Sequence, residues 1–306
     1  MTRAGRKEYS MRSTTVRYVF FAGLLSLSVS RMTLADDQWL GAVERPSSLP
    51  WPATASPHLR VLFRKDGDSW LAPPQSCIYR VCAGQETTTA PAQASWLVVE
   101  DGKPIGSIAA RAALKDSSGQ RGPGDDSATA IAAAFANEPG RPALAAITVP
   151  YSDDPDSWHV TPGLPPKILA ALRAQFRKRY PSLCEGRGDE VGVAPQDPFD
   201  YSNEDIKLVA GYISGKGWLL ARLRLDEGGD CGRDDSGYGI DDAWYAVRPD
   251  GAVIYLDSGL ELVDIGDYDH DGSSELLFRL SRYNIRGYEL YYRNFSRQAA
   301  NLYLAY

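Results

Sequence analysis

Residues 263–278 read VDIGDYDHDGSSELLF. Apolar and β-prone runs, Leu262 to Ile265 and Leu276 to Leu280, flank a nine-residue acidic loop, Asp267 to Glu275. The flanks predict strand–loop–strand. Asp267, Asp269 and Asp271 occupy loop positions 1, 3 and 5, where carboxylates can turn inward together. Gly272 at position 6 permits a sharp bend, Ser273 at position 7 can offer its backbone carbonyl, and Glu275 adds an acid at position 9. Calcium takes six to eight hard oxygens on such a tightly curled loop, and four carboxylates this close repel one another without a cation. An EF-hand is excluded, because its bidentate acid would fall at position 12, which is Phe278, and its flanks would be helical. His270, at an even position, is expected to point outward. The competing reading is a solvated acidic hairpin held by Asx turns, with no metal.

Outward from this loop the pattern stays β. Leu208 to Ser214, Trp218 to Leu225, Trp244 to Arg248, Val253 to Leu256, Glu261 to Ile265, Glu275 to Ser281, Tyr288 to Arg293 and Leu302 to Tyr306 alternate with turn signals. They predict an antiparallel meander of seven or eight strands, in propeller-like or sandwich-like sheets. Upstream, Pro166 to Tyr180 reads PKILAALRAQFRKRY, with Ile168, Leu169, Leu172, Phe176 and Tyr180 on one stripe of an amphipathic helix. Its basic residues could lie on a membrane; packing against a sheet with those residues in water is the preferred reading. Further upstream, Leu59 to Phe63 leads to Asp66-Gly67, and Trp96 to Val99 leads through Asp101-Gly102 to Ile105–Ile108, two hairpin signals. An Ala-rich stretch, Ala128 to Ala136, predicts a short helix. The fold class is α+β and mainly antiparallel. Regions 36–160 and 161–306 are the expected domains.

The first 35 residues read as an address. Arg12 and Arg17 precede the apolar run Tyr18 to Val29, and Thr33-Leu34-Ala35 offers small residues for cleavage, the order of a secretory signal. No later apolar run reaches the roughly 20 residues of a membrane helix, so no transmembrane segment is expected in the mature chain. The full chain carries a net charge of −6. Cleavage after Ala35 removes Arg3, Arg6, Lys7, Arg12, Arg17 and Arg31 against Glu8 alone, leaving a more acidic protein that would repel nucleic acid. The expected location is periplasmic or secreted. There Cys77, Cys82, Cys184 and Cys231 favour two disulfides, with three pairings open, over a zinc site that lacks tight CxxC pairs.

The loop and its flanks, Val263 to Phe278, resemble the calcium loops of FG-GAP and VCBS-type repeats, found in integrin-like propellers. The continuation RLSRYNIRGYELYYRNF looks like the C-terminal end of exported bacterial proteins with a single such loop. The resemblance implies Asp267, Asp269, Asp271 and Glu275 as side-chain ligands of Ca2+ and Ser273 as a carbonyl ligand. No second copy of the loop occurs upstream, so several propeller blades are not expected.

Other features yield less. The acidic, Gly-rich stretch Asp226 to Asp242 offers Asp230, Asp234, Asp235, Asp241 and Asp242 in no ligand spacing, and reads as a loop. Gly211 to Gly217 is one residue short of a phosphate loop and reads as a hairpin turn. No GxSxG elbow occurs, His58 and His159 stand alone in loop-like stretches, and no catalytic residue is assigned. The final alternation of Leu302, Leu304 and Tyr306 reads as a closing strand of a sheet, not as an outer-membrane barrel. The expectation is an exported calcium-binding protein of the cell envelope, binding or structural in role, whose partner is an envelope protein or polysaccharide. The alternative is a polysaccharide hydrolase with an Asp/Glu pair in a Trp/Tyr-lined cleft. Trp218, Trp244, Tyr288, Tyr291 and Tyr292 could form a sugar-stacking platform, but filling a β core is the preferred reading.

Overall fold

The structure is a computed structural model describing residues 38–44, 58–72, 95–100, 102–109, 134, 141, 143–148, 155–180, 201–225, 242–282 and 285–304. Fifteen strands among them form three antiparallel sheets. The first contains β1 (Trp39–Glu44), β2 (His58–Asp66), β3 (Ser69–Leu71), β4 (Ser95–Glu100), β5 (Lys103–Ala109) and β6 (Ala143–Ile147), in the order β3-β2-β1-β6-β4-β5. The second contains β7 (His159–Val160), β8 (Ile206–Ile213), β9 (Leu219–Leu225), β10 (Asp242–Val247) and β11 (Val253–Tyr255), in the order β11-β10-β9-β8-β7. The third is the meander β12 (Leu260–Gly266), β13 (Glu275–Arg282), β14 (Ile285–Tyr292) and β15 (Arg297–Leu304).

The expected run of eight strands after Ile206 is present, but it divides into two sheets after β11. The chain breaks there at Asp257-Ser258-Gly259, with Gly259 at φ +65°, and Leu256 and Asp257 hydrogen-bond to Trp244 before β12 begins. Splitting the run lets the third sheet be covered on both faces. Leu277, Tyr288, Leu290 and Tyr292 pack against Leu40, Phe63, Trp70 and Ile147 of the first sheet. On the opposite face Leu276, Phe278, Leu280 and Tyr291 meet Trp218, Leu220 and Trp244 of the second. A sheet buried on both sides needs near-continuous apolar strands in place of alternation. ELLF of β13 and YELYY of β14 have that character.

Helix α1 (Pro166–Arg179) starts on Pro165-Pro166 and closes the outer face of the second sheet, burying Leu172, Phe176 and the following Tyr180 among Ile206, Leu219, Leu223 and Tyr245. Each buried side chain of this size contributes about 1.5–3 kcal/mol. Three of its arginines do more than face water. Arg173 Nε donates to the Ile206 carbonyl at 3.0 Å, Arg177 lies 5.4 Å from the Tyr201 ring and Arg179 lies 3.5 Å from the Tyr255 ring. Among the described residues no helix is long and apolar enough to cross a membrane.

In the first sheet both Asp-Gly signals fall at turns, with Gly67 at φ +54° between β2 and β3 and Gly102 at φ +72° between β4 and β5. Strands β1 and β6 were not among the predicted elements. WLGAVE, buried up to its final Glu44, and ALAAI, buried throughout, are short runs with no period to read, and β6 is the inner strand joining β1 to β4. Of the predicted Ala-rich helix only Ala134 is described; it is helical and buried. Residues 1–35 and all four cysteines lie outside the described residues, as do Asp230, Asp234, Asp235 and Asp241.

Candidate metal centre

The β12–β13 loop brings together the four carboxylates that its spacing predicts. One carboxylate oxygen each from Asp267, Asp269, Asp271 and Glu275 lies within 4.8 Å of the others. Local chemistry explains the curl. Asp267 directly follows β12, and its two oxygens accept the Asp271 and Gly272 amides, both at 3.1 Å. Asp269 Oδ1 accepts the Asp271 amide at 3.1 Å, and Asp271 Oδ1 accepts the Ser273 amide at 2.8 Å. These Asx-type bonds fold the chain back across Gly272 at φ +84°, a conformation that favours glycine. His270 is exposed, as its even position predicts, and also adopts positive φ. Tyr268 at the other even position turns into the core, where its hydroxyl donates to Asp264 Oδ2 at 2.9 Å.

Burial separates this cluster from an ordinary acidic turn. Asp267 is 3% exposed and Glu275 is 0% exposed. Glu275 Oε2 accepts the Tyr268 amide at 2.6 Å, while Oε1 is buried with no hydrogen-bond partner. Burial, together with the charges of Asp267 and Asp271, pushes the Glu275 carboxyl up to about 9. In the absence of a cation that group would hold a proton at neutral pH. A divalent ion bound there would replace the proton, give Oε1 a partner and offset the mutual repulsion.

Flanking sheets reach the loop from both sides. Lys65 of β2 forms an ion pair with Asp269 Oδ2, and its ammonium lies 5.1 Å from the Trp70 ring. Burial pulls the Lys65 ammonium below its ordinary value. From the other side Lys216, in the β8–β9 turn, donates to the Gly272 carbonyl at 2.9 Å and pairs with Asp156 Oδ1 at 2.7 Å. Asp156 Oδ2 in turn accepts the Ser274 amide at 2.8 Å. The Gly102 amide, in the β4–β5 turn, donates to Asp264 Oδ1 at 3.1 Å, beneath Tyr268. Sequence reasoning missed Lys65, Asp156, Lys216 and Asp264. The first three lie far from the loop in the chain, and their local patterns read only as strand or turn.

The remaining candidates stand apart from the loop. Asp242, the one described member of the second acidic stretch, receives Arg222 Nε at 2.6 Å and the Gly259 amide at 3.1 Å, so it serves an ion pair between the neighbouring strands β9 and β10. His159 sits exposed on β7, with Nδ1 3.3 Å from the Ser157 carbonyl. Trp218, Trp244 and Tyr291 fill the core between the second and third sheets, and Tyr288 the core between the first and third. Compared with protein-family models, with curated proteins and with solved structures, the chain matches none.

Proposed function

We propose that this is an exported protein of the cell envelope that binds one calcium ion in the β12–β13 loop, with a binding or structural role in which the ion clamps the hairpin. Glu275 carries the reading: a wholly buried carboxylate, repelled by two neighbouring acids, with one oxygen lacking any partner. Asp267, Asp269, Asp271 and Glu275 would supply side-chain oxygens and Ser273 its carbonyl. All are hard donors, with no thiolate or imidazole among them, which suits calcium better than zinc or copper. The likeness of the loop to FG-GAP and VCBS-type repeats supports the same ion, and the charged, apolar, small-residue order of residues 1–35 supports export. An ion bound only by the folded state stabilises it by mass action.

Scanning calorimetry tests the reading. The purified protein should melt higher in millimolar calcium than in chelator, and Asp269→Ala or Asp271→Ala should abolish the difference. Equal melting temperatures in chelator and in calcium would overturn it.

A further inference from the structure

We propose that Asp156, 118 residues before Ser274 in the chain, is a positioning residue that aims the Ser273 carbonyl at the bound cation. The proposal rests on the calcium reading and adds to it a part that the loop sequence does not contain. Ser274 N–H belongs to the same peptide plane as Ser273 C=O, and no peptide bond among the described residues is cis. In a planar trans peptide these two groups point in opposite directions. Asp156 Oδ2 holds the Ser274 amide at 2.8 Å, which turns the Ser273 carbonyl away from the 155–158 segment.

The preceding peptide is gripped from the same side. Lys216 Nζ holds the Gly272 carbonyl at 2.9 Å and Asp156 Oδ1 at 2.7 Å. With Gly272 C=O and Ser274 N–H both drawn outward to this pair, the carbonyl between them faces the acid side of the loop. Asp156 is itself fixed. It is buried, and its own carbonyl accepts the Gly215 amide at 2.6 Å. Lys216 balances its charge, so the clamp adds no net negative charge to a loop that already holds four carboxylates. Outer-shell groups that orient a ligand in this way are worth about 10- to 100-fold in metal affinity.

The experiment compares wild type, Asp156→Asn and Asp156→Ala as full chains, titrated calorimetrically with calcium chloride after chelator treatment. Asn keeps an oxygen that can accept the Ser274 amide; Ala does not. Expected are a loss of about tenfold or more in calcium affinity for Asp156→Ala and a change within about threefold for Asp156→Asn. A second readout reports on the tethered plane itself. Ser273–Ser274 is one of three Ser–Ser pairs in the chain, so labelling serine with carbonyl carbon-13 and nitrogen-15 leaves few amide–carbonyl correlations. The Ser273 carbonyl resonance should move on calcium addition in wild type and Asp156→Asn, and in Asp156→Ala only at the higher calcium its weaker affinity demands.

Unchanged affinity in Asp156→Ala overturns the proposal while leaving calcium binding intact. A loss in Asp156→Asn as large as that expected for Ala also overturns it, and this variant decides the matter should Asp156→Ala not fold. Absence of binding by wild type overturns the calcium reading and this proposal together.

Discussion

Two Asp-Gly turns in this protein use the same residues to different ends. The β10–β11 turn, Arg248-Pro249-Asp250-Gly251, bends at Gly251 with φ +86°, and Asp250 Oδ1 accepts the Ala252 amide at 3.0 Å. The β12–β13 loop bends at Gly272 with φ +84° and uses the same Asx bonds. Asp250 is 60% exposed and faces Arg248 Nη2 at 3.5 Å in water, so its charge costs nothing to keep. Glu275, at 0% exposure beside two other acids, holds a charge that the surroundings do not support. Turn chemistry closes both hairpins. Desolvation, together with the neighbouring carboxylates, leaves only the second with a buried acid whose charge is uncompensated.

The contrast breaks most sharply if Glu275 can be neutralised without consequence. Glu275→Gln keeps the shape and the Tyr268 bond but removes the charge, so the calcium-dependent rise in melting temperature should vanish. A retained rise would place the ion elsewhere.

The next largest effect is on pH dependence. Without metal, the folded protein keeps a proton on Glu275 between the ordinary carboxyl value of 4.5 and about 9, where the unfolded chain has released it. The stability contributed by that proton is fully present below 4.5 and is lost as pH climbs toward about 9. Chelated protein should therefore melt progressively lower from pH 5 to 9. Calcium should flatten the slope, as should Glu275→Gln in chelator. A chelated melting temperature that rises across this range would contradict the buried, uncompensated carboxyl.

A smaller change is expected at Lys65. Its ammonium against Asp269 supports the metal-free loop and repels a divalent ion. Lys65→Met should lower the melting temperature in chelator and tighten calcium binding by on the order of tenfold, read by the same titration. Weaker binding in that variant would mean that Lys65 orients Asp269 as a ligand. Asp250→Asn sets the lower bound. It should shift stability by no more than about 0.5 kcal/mol and leave calcium affinity untouched, since its turn is solvated.

Much of this arrangement can be read from the chain. The stripe of Leu172, Phe176 and Tyr180, the turns at Gly67 and Gly102, and the strands on either side of Asp267–Glu275 follow from period and turn chemistry, which are local properties. Strands β1 and β6 were not legible, because a fully buried run such as ALAAI has no polar face to set a period. Nor was the division of the C-terminal strands into two sheets, since the break at Asp257 to Gly259 resembles any other hairpin connection. Lys65, Asp156 and Lys216 were illegible for another reason. Each acts on the loop from a different part of the chain, and no local pattern records which distant backbone group a side chain meets.

By itself, the sequence determined that residues 267–275 curl with their acids on alternate positions, because side-chain-to-amide bonds and a glycine bend operate within a few residues. Only the tertiary structure decided that Glu275 is sealed from water and left with an unpartnered oxygen. That outcome depends on the third sheet being covered by the first on one face and the second on the other. Burial is a property of what packs around a group, and those neighbours come from the whole length of the chain.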